Sequence, residues 1–357
     1  MDGLLYNQLG INMEHPFVTI VILNWNGYRH LDRLLPSLEK QCYPRDRYEI
    51  LFADNASTDE SVEYVKNNFP NIRIEELGKN FGFAGGNNLA VERAHGTLIA
   101  FLNNDTEADP DWLVELVRAH QQYPKALLSS QAYQFSNRDV SANSLTKLTA
   151  WGIPVNVNVF KPRSMIQPKI CRTFYADAAG MLISRAIFTK LKGFDTKYFA
   201  YEEEKDLSWR AWLSGYPSYW VPKSVYYHKG GATLGQHSPE ATYLLWRNGL
   251  YNMVKYLSGK RLFSSLVLHF FYSVTSFMVF FLPKRKWGLL KAMLKAYATA
   301  IFEAPRLFRE RHQCKKRIYQ DKDFLSMGLT LSLIESLRLV FQFLARRKNH
   351  INSQSVE

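Results

Sequence analysis

Residues 98–106 read Leu-Ile-Ala-Phe-Leu-Asn-Asn-Asp-Thr, and this stretch decides the fold. Its first five residues form an apolar run without polar alternation, which is typical of a strand buried on both faces of a parallel sheet. The run stops in two amides and a carboxylate, so we expect Asp105 at the carboxyl end of the strand. Ligands of open α/β sheets bind at that end. The cluster suits a divalent cation that holds a phosphorylated substrate, and it also suits a simple turn.

Earlier segments show the same pattern of an apolar strand followed by polar residues. Phe17–Leu23 is a β-branched run that stops at residues 24–27, and Tyr48–Ala53 stops at the polar residues 54–61. Apolar residues at helical spacing follow each strand, and Ile72–Leu77 indicates a weaker third strand. This alternation predicts a doubly wound α/β half with its polar clusters at the carboxyl ends of the strands.

A glycine-rich segment precedes the strand that begins at Leu98. Gly78–Asn88 contains four glycines, which permit close approach of the backbone to a ligand. We expect a loop here and a helix from Leu89 whose N-terminus faces an anion. The segment lacks a G-x-G-x-x-G fingerprint, so a nicotinamide or flavin site is not indicated.

The charge of the chain is distributed unevenly. The net charge is +13, but residues 1–254 carry 26 Lys and Arg against 26 Asp and Glu, whereas residues 255–357 carry 19 against 6. A neutral head with a basic tail argues against a nucleic-acid groove and favours electrostatic attachment through the tail. The three cysteines form no metal-ligand spacing, which fits a reducing compartment, and residues 1–14 show no secretory signal.

The second half of the chain carries two further candidate clusters. Residues 131–172 read as a loop-rich crossing, and order returns at Tyr175–Arg185. Four carboxylates then stand within residues 202–206, between aromatic residues on both sides. They suit either a solvated helix start or a partly buried site, where burial would raise a carboxyl pKa and improve the group as a proton acceptor. The strand Trp220–His228 ends on a histidine, which is either structural or a metal ligand.

Together these stretches resemble the family 2 glycosyltransferases, in particular their rhamnosyltransferase-like branch. The resemblance covers Phe17–Tyr256 and rests on seven motifs that occur in the same order: Asn24-Trp25-Asn26-Gly27, residues 54–59, residues 80–87, residues 102–106, Gly193-Phe194-Asp195, residues 201–210 and Tyr227-His228. It implies a GT-A-type, Rossmann-like α/β fold with a mixed sheet and helices on both faces. It also implies a nucleotide-sugar donor, Mg²⁺ or Mn²⁺ as cofactor, and inversion at the sugar carbon.

The resemblance also implies roles for individual residues. The family's Asp-x-Asp metal cluster keeps only its last acid here, Asp105, and a histidine at the position of His228 completes the metal shell in some relatives. The catalytic base of the family is the Asp of a Glu-Asp pair. Because that pair reads Glu203-Glu204 here, we expect Glu204 as the base, with Asp206 as the alternative. Contacts with the nucleotide-sugar are expected from Asn24, Asn26, Asp54, Asn80, Gly86 and Asn104.

The expected reaction is transfer of a sugar, rhamnose from dTDP-rhamnose, to a lipid-linked glycan acceptor in cell-surface polysaccharide synthesis. A hydroxyl nucleophile needs a carboxylate on its side of the sugar carbon, and the departing diphosphate needs a metal on the other side. Asp105 would therefore bind the metal, and Glu204 would accept the proton of the hydroxyl. The alternatives are another sugar from a UDP or GDP donor, a nucleotidyltransferase, and a non-catalytic glycan or membrane adaptor.

The tail is expected to attach the enzyme to the cytoplasmic face of the membrane as a peripheral or monotopic protein. Leu262–Leu282 is long enough to span a bilayer, but one crossing would leave the basic residues after it on the wrong side. An in-plane or re-entrant arrangement is favoured instead, with amphipathic helices at Trp287–Phe302 and Phe324–Leu344 on an anionic membrane surface. The expected parts are a nucleotide-sugar half (15–130), an acceptor half (131–254) and a helical membrane-associating region (255–357).

Overall fold

The computed structural model describes residues 15–230, 238–278, 286–313 and 317–342. One mixed ten-stranded sheet forms its centre, in the order β10-β12-β6-β11-β4-β1-β2-β3, with β5 beside β12 and β7 beside β6. A separate hairpin pairs β8 with β9. The strands are β1 Val18–Asn24, β2 Tyr48–Asp54, β3 Arg73–Glu76, β4 Leu98–Leu102, β5 Thr106–Ala108, β6 Leu127–Gln134, β7 Ser141–Asn143, β8 Thr146–Leu148, β9 Pro154–Asn156, β10 Cys171–Arg172, β11 Gly180–Ser184 and β12 Ser218–His228.

Helices cover both faces of the sheet and then form the C-terminal region. Their bounds are α1 Tyr28–Glu39, α2 Ser61–Asn68, α3 Gly82–Glu92, α4 Trp112–Gln122, α5 Arg185–Lys190, α6 Glu203–Leu213, α7 Pro239–Tyr256, α8 Gly259–Ser276, α9 Trp287–Phe302, α10 Ala304–Gln313 and α11 Asp321–Ser326. This arrangement confirms the predicted α/β fold with a mixed sheet and helices on both faces.

Strand β4 lies near the middle of the sheet and is buried along its whole length, as its apolar run predicts. It runs parallel to β1 on one side and antiparallel to β11 on the other. The prediction of a parallel sheet around Leu98 was therefore half right. An apolar run indicates that both faces of a strand are buried. It does not indicate whether each neighbouring strand runs parallel or antiparallel to it.

The glycine-rich segment is helical earlier than predicted. Helix α3 begins at Gly82 rather than at Leu89. Asn80 Oδ1 accepts a hydrogen bond from Gly82 N at 2.8 Å and so satisfies the first N–H group of this helix. A Cβ on Gly86 would lie 2.5 Å from the side chain of Leu23, so the glycines let the helix pack closely on β1 instead of breaking it.

Two apolar layers and one aromatic cluster form the core. Helices α1 and α4 pack on one face of the sheet, and α3, α5 and α6 pack on the other. The third cluster joins the domain to the C-terminal helices and contains Trp209, Trp212, Phe174, Tyr256 and Phe324. The predicted loop region 131–172 also contains the short strands β7 to β10.

The C-terminal region contains helix α9 at the predicted residues 287–302. The second predicted amphipathic helix is divided into α11 and residues 333–342, because Gly328 has a φ of +68° and Thr330 pairs with Leu148. Residues 343 and 344 lie outside the described part. Among the described helices, none combines the length and apolarity needed to cross a bilayer.

Gly96 offers a test of how closely β1 and the start of β4 approach. A Cβ on Gly96 would lie 2.3 Å from Thr19 N, so Gly96→Ala must push the backbone apart. We expect the free energy of unfolding to fall by about 2 kcal/mol, measured by urea denaturation.

Gly249→Ala is the matched control, because nothing lies within 4 Å of its Cβ position. This helical substitution should leave stability unchanged or raise it by about 0.5–1 kcal/mol. Equal stability of the Gly96→Ala variant and the unmodified protein would contradict the close approach.

Candidate active site

A cleft of about 410 Å³ lies at the carboxyl ends of β1 and β4. It is lined by Trp25, Asn26, Gly27, Tyr28, Arg29, His30, Asp59 and Asn104. Asn104 donates a hydrogen bond from Nδ2 to Asn24 Oδ1 at 2.8 Å, across the ends of the two strands. A Cβ on Gly27 would lie 2.2 Å from Asn104 Nδ2, so only glycine fits beside this contact. The cleft therefore offers amide groups and a backbone that a ligand can approach closely.

Two of the expected donor contacts, Asn24 and Asp54, lie below the cleft surface. Asn24 is fully buried and donates to Ser57 Oγ at 3.0 Å, while Asp54 accepts from Ser57 N at 2.9 Å. These bonds shape the turn after β2. Asn26, which lines the cleft, closes the same turn by accepting from Thr58 N at 2.7 Å.

Asn80 and Gly86 also make contacts beneath the cleft rather than in it. Asn80 Oδ1 accepts from both Gly82 N and Asn55 Nδ2, and Asn55 Oδ1 accepts from Phe81 N. Gly86 contacts Leu23 and Asn55, as its close approach to β1 requires. The structure thus brings Asn26 and Asn104 to the cleft and gives Asn24, Asp54, Asn80 and Gly86 local contacts beneath it.

Asp105 and His228 meet at the same edge of the sheet. His228 ends β12, which pairs with β5 so that His228 lies opposite Thr106, and its Nε2 lies 3.1 Å from Asp105 Oδ1. Burial would raise the pKa of Asp105, but the charge and hydrogen bond of His228 hold it below its usual range. Burial opposes protonation of His228, yet Asp105 outweighs it and raises the pKa of that imidazole.

A strained turn precedes the acidic run. Phe199, Tyr201 and Glu202 all have φ between +65° and +71°, a region that non-glycine residues rarely adopt. Asn248 on α7 holds this turn by donating from Nδ2 to the carbonyl oxygens of Tyr198, Ala200 and Tyr201. Helix α7 therefore fixes where α6 begins and where its first carboxylates lie.

Glu203 and Glu204 occupy the first turn of α6, which is buried rather than solvated. Glu203 is 4% exposed, and burial, reinforced by the neighbouring Glu204, raises its pKa well above the usual range. Glu204 is partly buried, and its pKa is raised to about 8 by burial against the opposing charge of Lys205, with Glu202 and Asp177 adding to the rise. The side chain of Glu204 can therefore exchange a proton near neutral pH.

Asp206 is held in a buried ion cluster. It is fully buried, its Oδ1 accepts from Lys255 Nζ and Tyr256 Oη at 2.6 Å, and its Oδ2 accepts from Arg210 Nε at 2.7 Å. Burial alone would raise the pKa of Asp206, but Arg210 and Lys255 hold it well below the usual range. A carboxylate bound in this way is a poor proton acceptor, so its contacts favour Glu204 over Asp206 as the base.

Asp177 is a site residue that the sequence analysis did not single out. It lies three residues before β11 and is partly buried, and its Oδ1 accepts from Ala179 N at 3.0 Å. Its charge raises the pKa of both Glu204 and His228. Asp177 thus links the electrostatics of the two clusters. In the sequence Asp177 is a lone acid within the small residues 176–180, a pattern that does not mark a site by itself.

Asp105 and His228 also suit a divalent cation together with further oxygen ligands. Their converging oxygen and nitrogen atoms match ligands of Mn²⁺ or Mg²⁺, and Mg²⁺ is commonly bound by one or two carboxylates together with substrate phosphates. Within the described ranges, no group of three or more His, Cys, Asp or Glu side chains could hold a metal by itself. Asp105 and His228 therefore fit a cation that would take its remaining ligands from a bound diphosphate and water.

Comparison with known proteins places this arrangement in a class. Residues 19–191 match Glycosyl transferase family 2. Over 237 residues the chain is 24% identical to N-acetylglucosaminyl-diphospho-decaprenol L-rhamnosyltransferase of Mycobacterium tuberculosis, a match that covers 60% of this chain and 76% of that one. Residues 19–191 thus form a glycosyl transferase family 2 domain, and the protein is a glycosyltransferase.

Solved structures support the same fold. Staphylococcus aureus TarS 1-349 in complex with UDP-GlcNAc is 16% identical, with a TM-score of 0.53 over 83% of this chain and 92% of that one. The mannosyltransferase PcManGT of Pyrobaculum calidifontis in complex with GDP-Man and Mn²⁺ is 16% identical, with a TM-score of 0.51 over 92% of this chain and 87% of that one. The fold is the predicted GT-A fold.

The raised pKa of Glu204 predicts that this carboxyl destabilises the folded protein at neutral and higher pH. The unfolded chain ionises it near pH 4.5 and the folded chain near 8, so stability declines as pH rises between these values. Glu204→Gln cannot ionise and escapes this loss. We expect it to raise the free energy of unfolding by roughly 1–3 kcal/mol near pH 9 and to change it little near pH 4.5.

The measurement is urea denaturation of both proteins at the two pH values. Glu63→Gln, an exposed change on α2, is the control and should match the unmodified protein at both. A Glu204→Gln protein that is equally or less stable near pH 9 would show that burial of this carboxylate has no energetic cost.

Proposed function

We propose that this protein is an inverting, metal-dependent glycosyltransferase that moves a sugar from a nucleotide-sugar to a lipid-linked glycan acceptor at the cytoplasmic face of the membrane. One observation carries the proposal. A charged Asp105–His228 pair and a protonatable Glu204 lie in one domain, and Asp177 acts electrostatically on both. These are the two kinds of group that transfer of an activated sugar requires, one at each side of the reacting carbon.

In this mechanism Glu204 accepts the proton of the attacking acceptor hydroxyl. The acceptor oxygen forms a bond to the anomeric carbon while the bond from that carbon to the diphosphate oxygen breaks, so the configuration inverts. Asp105 and His228 would hold Mg²⁺ or Mn²⁺, which supplies Lewis-acid stabilisation of the departing diphosphate. Asn26 and Asn104 line the cleft that we assign to the nucleotide end of the donor.

The donor we propose first is dTDP-rhamnose. The support is the similarity to the Mycobacterium tuberculosis rhamnosyltransferase, whose name also gives a diphospho-decaprenol-linked N-acetylglucosamine as acceptor. The related folds were solved with UDP-GlcNAc and with GDP-Man, so UDP and GDP donors are the alternatives to be tested beside it. Sugar contacts come from few side chains, and donor identity changes with them more readily than the fold does.

The base assignment predicts a specific loss in Glu204→Gln. Its turnover with dTDP-rhamnose and a polyprenyl-diphosphate-linked N-acetylglucosamine should fall by roughly 10²- to 10⁴-fold, because no carboxylate receives the proton. Turnover of the unmodified enzyme should rise with pH, reach half its maximum near 8, where Glu204 is half ionised, and level off above that pH. Release of the nucleoside diphosphate measures both effects. Undiminished turnover in Glu204→Gln would remove Glu204 as the base, and Glu63→Gln should retain the normal rate and pH profile.

The metal assignment predicts a different loss in Asp105→Ala. In the unmodified protein, Mn²⁺ should increase the rise in melting temperature produced by dTDP, UDP or GDP, because a ligand that binds the folded state stabilises it. In Asp105→Ala the additional rise in melting temperature caused by Mn²⁺ should be lost. In Asp46→Ala, a change at an exposed residue, this additional rise should remain. If Asp105→Ala responded to Mn²⁺ like the unmodified protein, the metal would have to bind elsewhere.

A further inference from the structure

Helix α8 is built with its polar side inward and its apolar side outward. Ser265, His269, Ser273 and Ser276 are at most 8% exposed, whereas Phe263, Val267, Phe270, Phe271 and Val274 are 41–73% exposed. A surface helix of a protein surrounded only by water normally shows the opposite arrangement. The exposed side of α8 therefore indicates a partner that is not water.

The inverted orientation is held by hydrogen bonds on the buried side. His269 Nδ1 lies 2.7 Å from Tyr297 Oη of α9, and Ser273 Oγ lies at the same distance from that hydroxyl. Ser265 Oγ donates to the carbonyl oxygen of Ala150 at 3.3 Å. Burial also lowers the pKa of His269 to about 4, so this imidazole is neutral at physiological pH. The buried polar groups have partners, and the aromatic groups are left outside.

Neighbouring helices extend this exposed apolar surface. Helix α9 packs beside α8 through Tyr297. Residues 333–342 bind the same backbone residue as α8, since Ala150 N donates to Ser336 Oγ and the carbonyl oxygen of Ala150 accepts from Ser265 Oγ. We call the combined surface the apolar face. Besides the outward residues of α8, it consists of Trp287, Leu294, Ile301, Phe302, Leu333, Ile334, Leu337 and Phe341, each 45–83% exposed. The apolar face thus groups thirteen exposed apolar side chains, whereas exposed apolar residues that need no explanation are scattered singly.

The charge around the apolar face selects an anionic partner. Residues 258–302 contain seven Lys and Arg and no Asp or Glu. Lys260, Lys286, Lys291 and Lys295 are exposed within the described residues of this segment, and Arg338 is exposed between Ile334 and Phe341. A second copy of the chain would bring two positively charged surfaces together, which is unfavourable. A surface that combines anionic phosphates with an apolar layer matches both properties.

We propose that the apolar face binds the surface of an anionic lipid bilayer, with α8 and α9 lying in the plane of the membrane. The outward aromatic and aliphatic side chains enter the boundary between headgroups and acyl chains. The surrounding lysines contact lipid phosphates.

This placement would bring the candidate active site close to the bilayer. Helix α7 contacts α8 and α9 through Trp246 and Tyr243, and on another side it holds the strained turn before Glu203 through Asn248. The widths of α7 and α8 together, roughly 20–24 Å, thus separate the apolar face from that turn. That consequence rests on the proposed function, because a lipid-linked acceptor would then reach Glu204 without leaving the membrane surface. Bilayer binding itself does not depend on it.

The test is sedimentation of the full-length protein with vesicles. Vesicles of phosphatidylcholine containing about one third phosphatidylglycerol should retain the unmodified protein at least about tenfold more strongly than pure phosphatidylcholine. Phe270→Ser combined with Phe271→Ser should weaken this binding about tenfold or more. Lys286→Glu combined with Lys291→Glu should weaken it and reduce its dependence on salt.

Met165→Ser is the matched control, since Met165 is 65% exposed but lies outside the apolar face. It should bind vesicles like the unmodified protein, and circular dichroism melting should show that all variants are folded. Failure of the unmodified protein to bind anionic vesicles, or unchanged binding of the Phe270/Phe271 variant, would overturn the proposal. A dimer in solution that this variant converts to monomers would also overturn it, by identifying a second copy as the partner.

A separate measurement distinguishes failure of this proposal from failure of the proposed function. Stabilisation by nucleoside diphosphate and Mn²⁺ should be the same in the Phe270/Phe271 variant and the unmodified protein, because those residues lie outside the cleft. Normal vesicle binding without nucleotide stabilisation in the unmodified protein would leave the membrane surface valid and contradict the enzymatic assignment alone.

Discussion

The buried ion cluster around Asp206 is the interaction on which the rest of the site depends. It joins α6 to the end of α7, since Asp206 contacts Arg210 within its own helix and Lys255 and Tyr256 on the other. Removing one partner from such a cluster leaves an uncompensated buried charge, which is strongly unfavourable. The cluster therefore fixes the distance between the two helices. The left-handed turn before Glu203 can persist only because Asn248 and Asn252 hold its carbonyl oxygens from that fixed position.

The same framework gives neighbouring carboxyl groups opposite properties. Asp206 and Asp105 each have a cationic or protonatable partner in contact, so their pKa values are lowered despite burial. The cation that acts on Glu204 is its own neighbour Lys205, which is already paired with Glu202, and burial therefore raises the pKa of Glu204. Separation of pKa values by local partners is how one site supplies both a permanent anion and a proton acceptor. The three acids differ in their neighbours much more than in their chemistry.

The sequence predicted the elements that depend on local patterns and missed those that depend on distant contacts. The strand ending at Leu102, the strand ending at His228 and the helix from Trp287 to Phe302 follow from apolar runs and spacing. The antiparallel neighbour of β4 and the early start of α3 depend on residues distant along the chain, such as Leu23 beneath Gly86. Asp177 was missed for the same reason. A single acid among small residues carries no local signal, and its role appears only when β11 lies beside the other two clusters.

Helix α8 shows that a sequence pattern does not always indicate which side of a helix faces the protein. Its long uncharged run was interpreted through length and net charge, which distinguish a spanning helix from an in-plane one but do not say which side faces the protein. Serine and histidine are polar enough that the hydrophobic pattern alone would turn them toward solvent. The structure turns them inward because Tyr297 and the backbone of Ala150 satisfy their hydrogen bonds. If α8 were rotated to bury its aromatic side, the buried polar groups of Tyr297 and Ala150 would lose their hydrogen bonds, which is unfavourable. The aromatic side of α8 is therefore exposed because the polar side is hydrogen-bonded to the protein.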